Sequence, residues 1–289
     1  MAYIRRIVQA GPVRETRKFM NGRIHTKGAK RAPRHLSTPA DQIKINERVA
    51  EERLRWKINA NFGKGDLHVV LHYYRKAMTL DEAADCLALF RRRLKDACRK
   101  AGIPCRYIVC TETKRMTNIH HHMILNSMDP DIVAAAWESV AGGGHISFTK
   151  LDGRGNHGDL ANYLIKETRS TVDRYKEAGR KTRRFSPSQH LEMPEPRYEV
   201  VQASQWREEP KAKKGCVLFK FDDGETLRRG WHEKTGYEWQ EYFEIDYGKA
   251  DQKNGLQHTG GKGKERGISS KASRHKRPNK KPEEPPAAV

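Results

Sequence analysis

The sequence predicts an α+β fold in which helices pack against a mostly antiparallel sheet. Short apolar runs rich in β-branched and aromatic residues indicate strands, and segments with apolar residues at three- and four-residue steps indicate helices. The predicted elements follow the order strand, helix, strand, strand, helix, strand, helix. Two of the strands are separated only by a short turn, which favours antiparallel pairing.

The helices are defined by their end signals. A leading helix is predicted to begin at Ser37–Pro39, where a hydroxyl cap precedes a proline in the first turn, and to run to about Asn59. A second helix begins at the capping box Thr79–Glu82 and ends at Gly102, with one buried apolar stripe and several arginines on its other faces. Two shorter helices are predicted over Asp129–Val140 and Asp159–Glu167. The predicted strands are Leu67–Tyr74, Arg106–Thr111, Asn118–Leu125 and His145–Phe148.

Changes of composition divide the chain into four regions. Residues 1–36 are basic and poor in periodic apolar positions, so we expect an N-terminal arm, and residues 37–195 form the main domain with its leading helix. Residues 196–250 are expected to form a small accessory unit with strands over Cys216–Phe221, Trp231–Tyr237 and Tyr242–Tyr247. Residues 251–289 lack aromatic residues and are rich in Lys, Gly, Ser and Pro, which predicts a disordered basic tail.

The charge of the chain indicates a polyanionic partner. Fifty-seven Lys and Arg against 36 Asp and Glu give a net charge of +21, and only 36% of the residues are hydrophobic. On charge alone, a non-catalytic nucleic-acid-binding protein is the simplest interpretation. The sequence has no apolar run long enough to span a membrane, no secretory segment and no C-x-x-C pair. We therefore expect a soluble protein of the reducing cytoplasm without a membrane partner.

A histidine-rich strand is the first candidate site. The strand Asn118–Leu125 contains His120, His121 and His122, and because side chains alternate along a strand, His120 and His122 share one face. Glu112 ends the preceding strand, and antiparallel pairing would bring its carboxylate beside them. Such nitrogen and oxygen ligands suit Mn²⁺, Mg²⁺ or a related divalent ion. Taken alone, the pattern is as readily a solvent-facing histidine cluster or a set of histidines satisfied beside the core.

The second candidate is a tyrosine on the helix Asp159–Glu167. Tyr163 and Lys166 are three residues apart and are therefore neighbours on one helical face. A phenol is a poor nucleophile at its reference pKa of about 10, so positive charge nearby is needed to favour the phenolate. Tyr-x-x-Lys alone is common on surface helices. A rival tyrosine, Tyr175, lies in a basic stretch and lacks the apolar neighbours that would hold it rigidly.

Together these motifs resemble the HUH superfamily, and within it the single-tyrosine rolling-circle replication initiators of plasmids and phages. The resemblance rests on a buried strand, then Glu112 and the H-x-H of His120 and His122, and then the Y-x-x-K of Tyr163 and Lys166. The segments Arg55–Phe62 and Arg183–Ser188 are also similar to bacterial members. The resemblance covers roughly residues 40–195, so the main domain is identified as an HUH endonuclease domain.

The resemblance implies a ferredoxin-like antiparallel sheet and a metal-assisted DNA-nicking and joining activity. His120, His122 and Glu112 would hold Mg²⁺ or Mn²⁺, and Tyr163 would attack a phosphodiester of single-stranded DNA. The products would be a 5′-phosphotyrosyl link and a free 3′-hydroxyl. Lys166 would steady the phosphate or the phenolate. No second tyrosine follows on the same face, since the next turn offers Glu167, and this argues against the two-tyrosine initiators.

The implied substrate is single-stranded DNA or an origin DNA hairpin. Basic residues expected to contact it are Lys114, Arg115, Arg183 and Arg184. The sequence contains no G-x-x-x-x-G-K-[ST], so unwinding would depend on a host helicase, and the 3′-hydroxyl would be extended by a host polymerase. A conjugative relaxase or a single-tyrosine transposase would use the same chemistry, although relaxases usually place the tyrosine before the histidines. The non-catalytic nucleic-acid binder stays as the alternative of a different class.

Overall fold

The computed structural model describes residues 2–21, 38–74, 78–115, 118–141, 144–201, 206, 209–233 and 235–249. These residues form antiparallel sheets with helices packed on them, so the predicted α+β class is confirmed. The tail predicted over residues 251–289 lies outside the described residues. In chain order the elements are β1 (Ala2–Ala10), β2 (Val13–Asn21), α1 (Pro39–Asn61), β3 (Leu67–His72), α2 (Leu80–Ala101), β4 (Tyr107–Arg115), β5 (Asn118–Leu125), α3 (Pro130–Ala141), β6 (Ile146–Lys150), α4 (Gly158–Glu167), α5 (Arg169–Glu177), β7 (Ser186–Pro187), β8 (Arg197–Val200), β9 (Val217–Leu218), β10 (Arg228–Trp231) and β11 (Glu238–Ile245).

The central sheet contains five strands in the order β6-β3-β5-β4-β7, and every pairing is antiparallel. Its elements are those expected from the sequence, apart from α5 and the short β7, which the sequence did not indicate. The end signals are confirmed at both long helices. Thr38 and Thr79 close capping boxes at the starts of α1 and α2, and Gly102 ends α2 in the left-handed conformation, with φ 66°.

Helices cover both faces of the central sheet. On one face, α2 and α3 enclose the larger core, in which Phe90, Leu94, Met123 and Trp137 are fully buried. On the other face, α1 and α4 pack through Ile58 and their apolar neighbours. The alternation of side chains along each strand therefore determines which helix pair a given residue meets.

Residues 2–21 correct the prediction of a basic N-terminal arm. They form the β1–β2 hairpin, which joins β8, β9, β10 and β11 in a second sheet of order β10-β11-β2-β1-β8, with β9 also paired to β11. The strands expected in a separate accessory unit over residues 196–250 thus belong to this same sheet. The strand predicted over Trp231–Tyr237 is wrong in position, because β10 spans Arg228–Trp231 and a turn follows it.

The second sheet is attached to the rest of the molecule through α1. Val8 and Ala10 pack on Trp56 and Ala60 of this helix, whose other side contacts the core of the central sheet. Helix α1 therefore lies between the two sheets. Within the described part of the chain, no helix combines the length and the apolar character that crossing a bilayer demands.

A buried ionic network explains why the hairpin looked like a solvent-exposed arm. The Glu15 carboxylate accepts hydrogen bonds from Arg6 at 2.7 Å, from Arg55 at 2.8 Å and from the Trp56 indole at 2.7 Å. Arg6 also donates to Glu52 of α1 at 2.8 Å. The arginine charges hold the pKa of Glu15 below its usual range, although burial opposes them. Each basic residue of the hairpin in this network has its partner in a strand or helix that its own segment does not reveal.

Candidate active site on the central sheet

A row of three polar residues crosses the central sheet at one position. In the strand register, His72 of β3 is opposite His120 of β5, and His120 is opposite Glu112 of β4. Directly opposed residues in antiparallel strands project to the same side. The alternation of β5 places His122 on that side as well. The sequence prediction that Glu112 lies beside His120 and His122 is therefore confirmed.

The side chains converge on the Glu112 carboxylate. Glu112 Oε2 lies 3.1 Å from His122 Nε2 and 3.7 Å from His120 Nδ1. The hydrogen bond from His122, together with a contact from Glu167, holds the pKa of Glu112 below its usual range, so the carboxylate is ionised at neutral pH. Burial lowers the pKa of His120, which keeps its imidazole neutral. A neutral imidazole is the form that binds a metal ion.

His121 points to the opposite face, as strand alternation predicts. It is fully buried between α2 and α3, with Nε2 2.8 Å from the Tyr73 hydroxyl and Nδ1 3.0 Å from the Thr111 hydroxyl. Burial lowers the pKa of His121 to about 3, so it is a neutral core residue at any physiological pH. It has no access to the carboxylate of Glu112, and its position in the core accounts for a histidine in place of the usual hydrophobe.

The donor set fits a divalent metal ion in its chemistry. Two imidazole nitrogens and a carboxylate oxygen are ligands that Mn²⁺, Mg²⁺ and related ions accept. The buried Nε2 of His120 has no hydrogen-bond partner among the described residues, which is unusual for a buried polar atom and leaves a donor free. In the parts of the chain that the structure describes, no three His, Cys, Asp or Glu side chains form a ready-made metal-binding group. Ligation would require Glu112 to exchange its hydrogen bond with His122 for the ion.

Helix α4 carries Tyr163 to this site and is anchored at its start by α1. Asn59 of α1 accepts a hydrogen bond from the backbone N–H of His157 at 2.9 Å and donates one to Asn156 at 3.1 Å. All three residues are buried. The apolar side of α4, with Leu164 fully buried, packs on the same helix. These contacts explain why the segment before the first strand of the main domain combines apolar residues with asparagines.

The far end of α4 is held by Arg184. Its guanidinium donates to the Ile165 carbonyl at 3.4 Å and to the Thr168 hydroxyl at 3.3 Å, and it forms an ion pair with Glu47 at 3.3 Å. A cation at a helix C-terminus also interacts favourably with the helix dipole. Arg184 was expected to bind DNA, but this placement gives it the structural task of fixing α4. Its neighbour Arg183 is exposed and remains a candidate for a phosphate contact.

Tyr163 lies against the histidine site. Its ring is 5.5 Å from the ring of His122 in an edge-to-face arrangement, and 44% of the residue is exposed, so a substrate can reach it. Partial burial raises the pKa of Tyr163, and the negative charges of Glu167 and Glu112 raise it further. The phenol is therefore protonated at neutral pH in this arrangement. Positive charge at the Glu112 carboxylate would remove part of that effect.

The remaining predicted site residues are placed less tightly. Lys166 is exposed on α4, and its side chain has no ion pair or hydrogen bond to any described residue. The rival Tyr175 lies on α5 and lines a cavity on the α2 face of the sheet, away from His120 and His122. The side chains of Lys114 and Arg115 lie outside the described part of the chain, so their predicted DNA contacts stay predictions.

Two further histidines of β3 were missed by the sequence analysis as members of the site. His68 stacks on His122 with ring centroids 5.6 Å apart and its Nε2 3.4 Å from His122 Nδ1. The His72 ring lies 4.2 Å from that of His120, and His145 is 5.4 Å from His72. The even spacing of His68 and His72 on one strand was the available signal, since it places both on one face.

Gly144 permits the close approach of the β6 segment to the end of β3. A Cβ atom at this position would lie 2.1 Å from the His72 carbonyl oxygen and 2.9 Å from Trp137 Nε1. The Trp137 indole donates to that same carbonyl at 3.2 Å. Only glycine fits there, so the glycine-rich break before β6 serves the packing around His72.

Comparison with known proteins agrees with this site. Residues 67–170 match the model of a family described as replication-associated protein, of the ORF2 type. The matched segment extends from β3 to the start of α5, and it therefore contains the histidine strand, Glu112 and Tyr163. The expected resemblance to rolling-circle replication initiators of plasmid or phage type is confirmed at this level. The chain matches no curated protein and no solved structure.

Proposed function

We propose that this chain, a replication-associated protein of the rolling-circle initiator type over residues 67–170, nicks single-stranded DNA by covalent attack of Tyr163. The observation that carries the proposal is the packing of the Tyr163 ring on His122, at the point where His122, His120 and Glu112 converge. A nucleophile, a metal-ligand set and exposure to solvent thus coincide on one face of the sheet. The substrate would be a single strand, or the single-stranded part of an origin hairpin.

His120, His122 and Glu112 are the residues that would hold Mg²⁺ or Mn²⁺. When bound, such an ion would polarise the scissile phosphodiester and offset the negative charge that opposes formation of the phenolate. Both roles need an ionised carboxylate and neutral imidazoles. The low pKa of Glu112 and the lowered pKa of His120 support both requirements at neutral pH.

The chain's own residues account for the covalent step. Tyr163 Oη forms a bond to phosphorus, and the bond between phosphorus and the 3′ oxygen breaks, which leaves a 5′-phosphotyrosyl link and a 3′-hydroxyl. Glu167, one turn further along the same face of α4, is the carboxylate placed to accept the phenol proton. The departing 3′ oxygen takes up a proton from solvent. Lys166, whose side chain is exposed and unpaired among the described residues, would contact a non-bridging phosphate oxygen.

The positive charge of the chain would supply most of the affinity for DNA. Phosphate contacts spread over a basic surface dominate such binding and make it sensitive to salt. Substitution of a metal ligand should therefore remove cleavage and leave binding nearly unchanged. Replication would continue with a host helicase and a host polymerase, since the sequence contains no P-loop.

The test compares His120→Ala and His122→Ala with His232→Ala, an exposed histidine of the turn after β10. Cleavage of a labelled single-stranded oligonucleotide is followed with Mn²⁺ and with EDTA. We expect each site variant to lower the Mn²⁺-dependent rate by about 100-fold or more while DNA affinity stays within about twofold. The control should cleave at the wild-type rate.

Two results would contradict the proposal. Unchanged cleavage in both site variants would remove the metal site from these residues. Binding without cleavage in the wild-type chain, with any divalent ion, would indicate a non-catalytic DNA-binding protein. His121→Ala separates the two faces of β5, because it should lower the melting temperature, through the lost core contacts with Tyr73 and Thr111, and retain metal-dependent cleavage.

A further inference from the structure

A cavity of about 180 Å³ lies on the face of the central sheet opposite to the histidine site. Helix α2, helix α5 and strand β4 form its walls, and the segment before β7 closes one side. Leu87, Val109 and Val172 supply apolar surface, and Tyr175 adds an aromatic ring. Ala84 and Arg183 line the cavity and are themselves exposed, so the cavity is open to solvent on that side.

The size of the cavity limits what can enter it. An apolar cavity of roughly 150 Å³ holds one benzene molecule. The present cavity therefore has room for one planar heterocycle, and a sugar or a phosphate attached to that heterocycle would remain outside. A ligand that enters would be a flat group on a polar stem.

The charge of the lining selects an anion for that stem. Arg91, Arg183 and Arg184 line the cavity, and no acidic residue does. Arg184 is neutralised by Glu47, whereas the side chains of Arg91 and Arg183 have no ion pair or hydrogen bond with any described residue. Two unpaired guanidinium groups beside one opening form a binding site for a phosphate.

We propose that this cavity binds one unpaired nucleotide of a DNA strand, with the base inside and its phosphate on Arg91 and Arg183. The hydroxyls of Tyr175 and Ser186 line the cavity without a hydrogen-bond partner among the described residues, so they are free to meet the polar edge of a base. Aromatic and apolar walls suit a base face, since stacking on an aromatic ring is a common mode of single-strand binding.

This assignment gives Tyr175 a binding task in place of a chemical one. It rests on the proposed function for the identity of the strand, because a DNA-nicking protein must hold a single strand near its site. His121 links the two faces of the sheet. Its side chain lines the cavity, and its neighbours in β5 are His120 and His122. A nucleotide bound here would lie directly behind the nicking site, at the edge strand that the DNA must pass.

The test measures binding of dAMP, dCMP, dGMP, dTMP and inorganic phosphate to the full chain by isothermal titration calorimetry, without metal. Ala84→Trp fills the cavity from an exposed position on α2. Ala88→Trp is its matched control, since Ala88 is exposed on the same helix, one turn further on, and does not line the cavity. Arg91→Gln is paired in the same way with Arg92→Gln.

We expect at least one mononucleotide to bind more tightly than phosphate, Ala84→Trp to abolish that binding, and Arg91→Gln to weaken it roughly tenfold. Both control variants should stay within about twofold. Equal binding of phosphate and mononucleotides would overturn the assignment of the base, and wild-type affinity in Ala84→Trp would overturn the site. Since no cleavage is measured, failure of the nicking reaction does not alter these readings. Conversely, loss of the cavity site leaves the nicking assays of the histidine variants valid.

Discussion

Asn59 is the residue through which the account of α4 can be tested most quantitatively. Its side chain bridges α1 to the start of α4 with two hydrogen bonds, of 2.9 Å from the His157 N–H and of 3.1 Å to Asn156, and all three residues are buried. Asn59→Ala leaves the His157 N–H without a partner away from water. An unsatisfied buried donor costs about 1–3 kcal/mol, to which the second lost hydrogen bond adds about 0.5–1.5 kcal/mol.

We therefore expect Asn59→Ala to lower the free energy of unfolding by about 2–4 kcal/mol in urea denaturation. The start of α4 should also shift, and because a displacement of about 1 Å at a nucleophile can cost about 100-fold, cleavage should slow by roughly 10- to 100-fold. DNA affinity should not change. Asn46→Ala is the matched control on the same helix, since Asn46 is exposed and accepts only from Gln42 at 2.9 Å. It should stay within about 0.5 kcal/mol of wild type. Equal effects of the two substitutions would refute the bridging role of Asn59.

Three further predictions concern charge. Arg183→Gln should weaken DNA binding and reduce the salt slope by about one, whereas Arg184→Gln should lower the melting temperature and leave the slope unchanged; fluorescence anisotropy and calorimetry decide, and a reversed pattern would contradict the placement of the two residues. Burial raises the pKa of Glu51 to about 7 despite its ion pair with Arg55, so its stabilising contribution is complete below about pH 4.5 and is lost as the pH rises through about 7. Glu51→Gln should then be more stable than wild type at pH 8, by an amount on the order of 1–3 kcal/mol, and match it near pH 4.5; an equal difference at both pH values would refute this. Truncation after Gly248 should weaken DNA affinity at low salt and spare the cleavage rate of bound DNA, and unchanged affinity would indicate that the basic tail has no binding task.

The parts of the fold that the sequence predicted are those determined locally. The capping box at Thr79 and the left-handed Gly102 fix the ends of α2 without help from the rest of the chain. The alternation of β5 placed His120 and His122 together and His121 opposite them. A short turn then sufficed to predict that Glu112 joins the pair, because antiparallel neighbours with a short connection have a nearly determined register.

The parts that were missed depend on distant partners. Arg6 and Glu15 read as the charges of a solvated arm, yet they are buried together against α1, and the strand β8 that completes β1 comes from the far end of the chain. Charged residues are rarely buried unless paired, and the pairing is visible only once the fold is known. The task of Arg184 was missed for the same reason, since its partner Glu47 lies on α1.

The most direct test of the central claim is the identity of the tyrosine that becomes joined to DNA. Wild-type protein is incubated with Mn²⁺ and a single-stranded oligonucleotide labelled on the 3′ side of the cut, and the products are separated on a denaturing gel and digested for peptide mass spectrometry. We predict a covalent adduct through the 5′ phosphate on the peptide that contains Tyr163. Tyr163→Phe should abolish it without loss of stability, because only the phenolic oxygen is removed, and Tyr175→Phe should retain it. An adduct that persists in Tyr163→Phe and disappears in Tyr175→Phe, or cleavage with no adduct at all, would contradict the assignment of Tyr163 as the nucleophile.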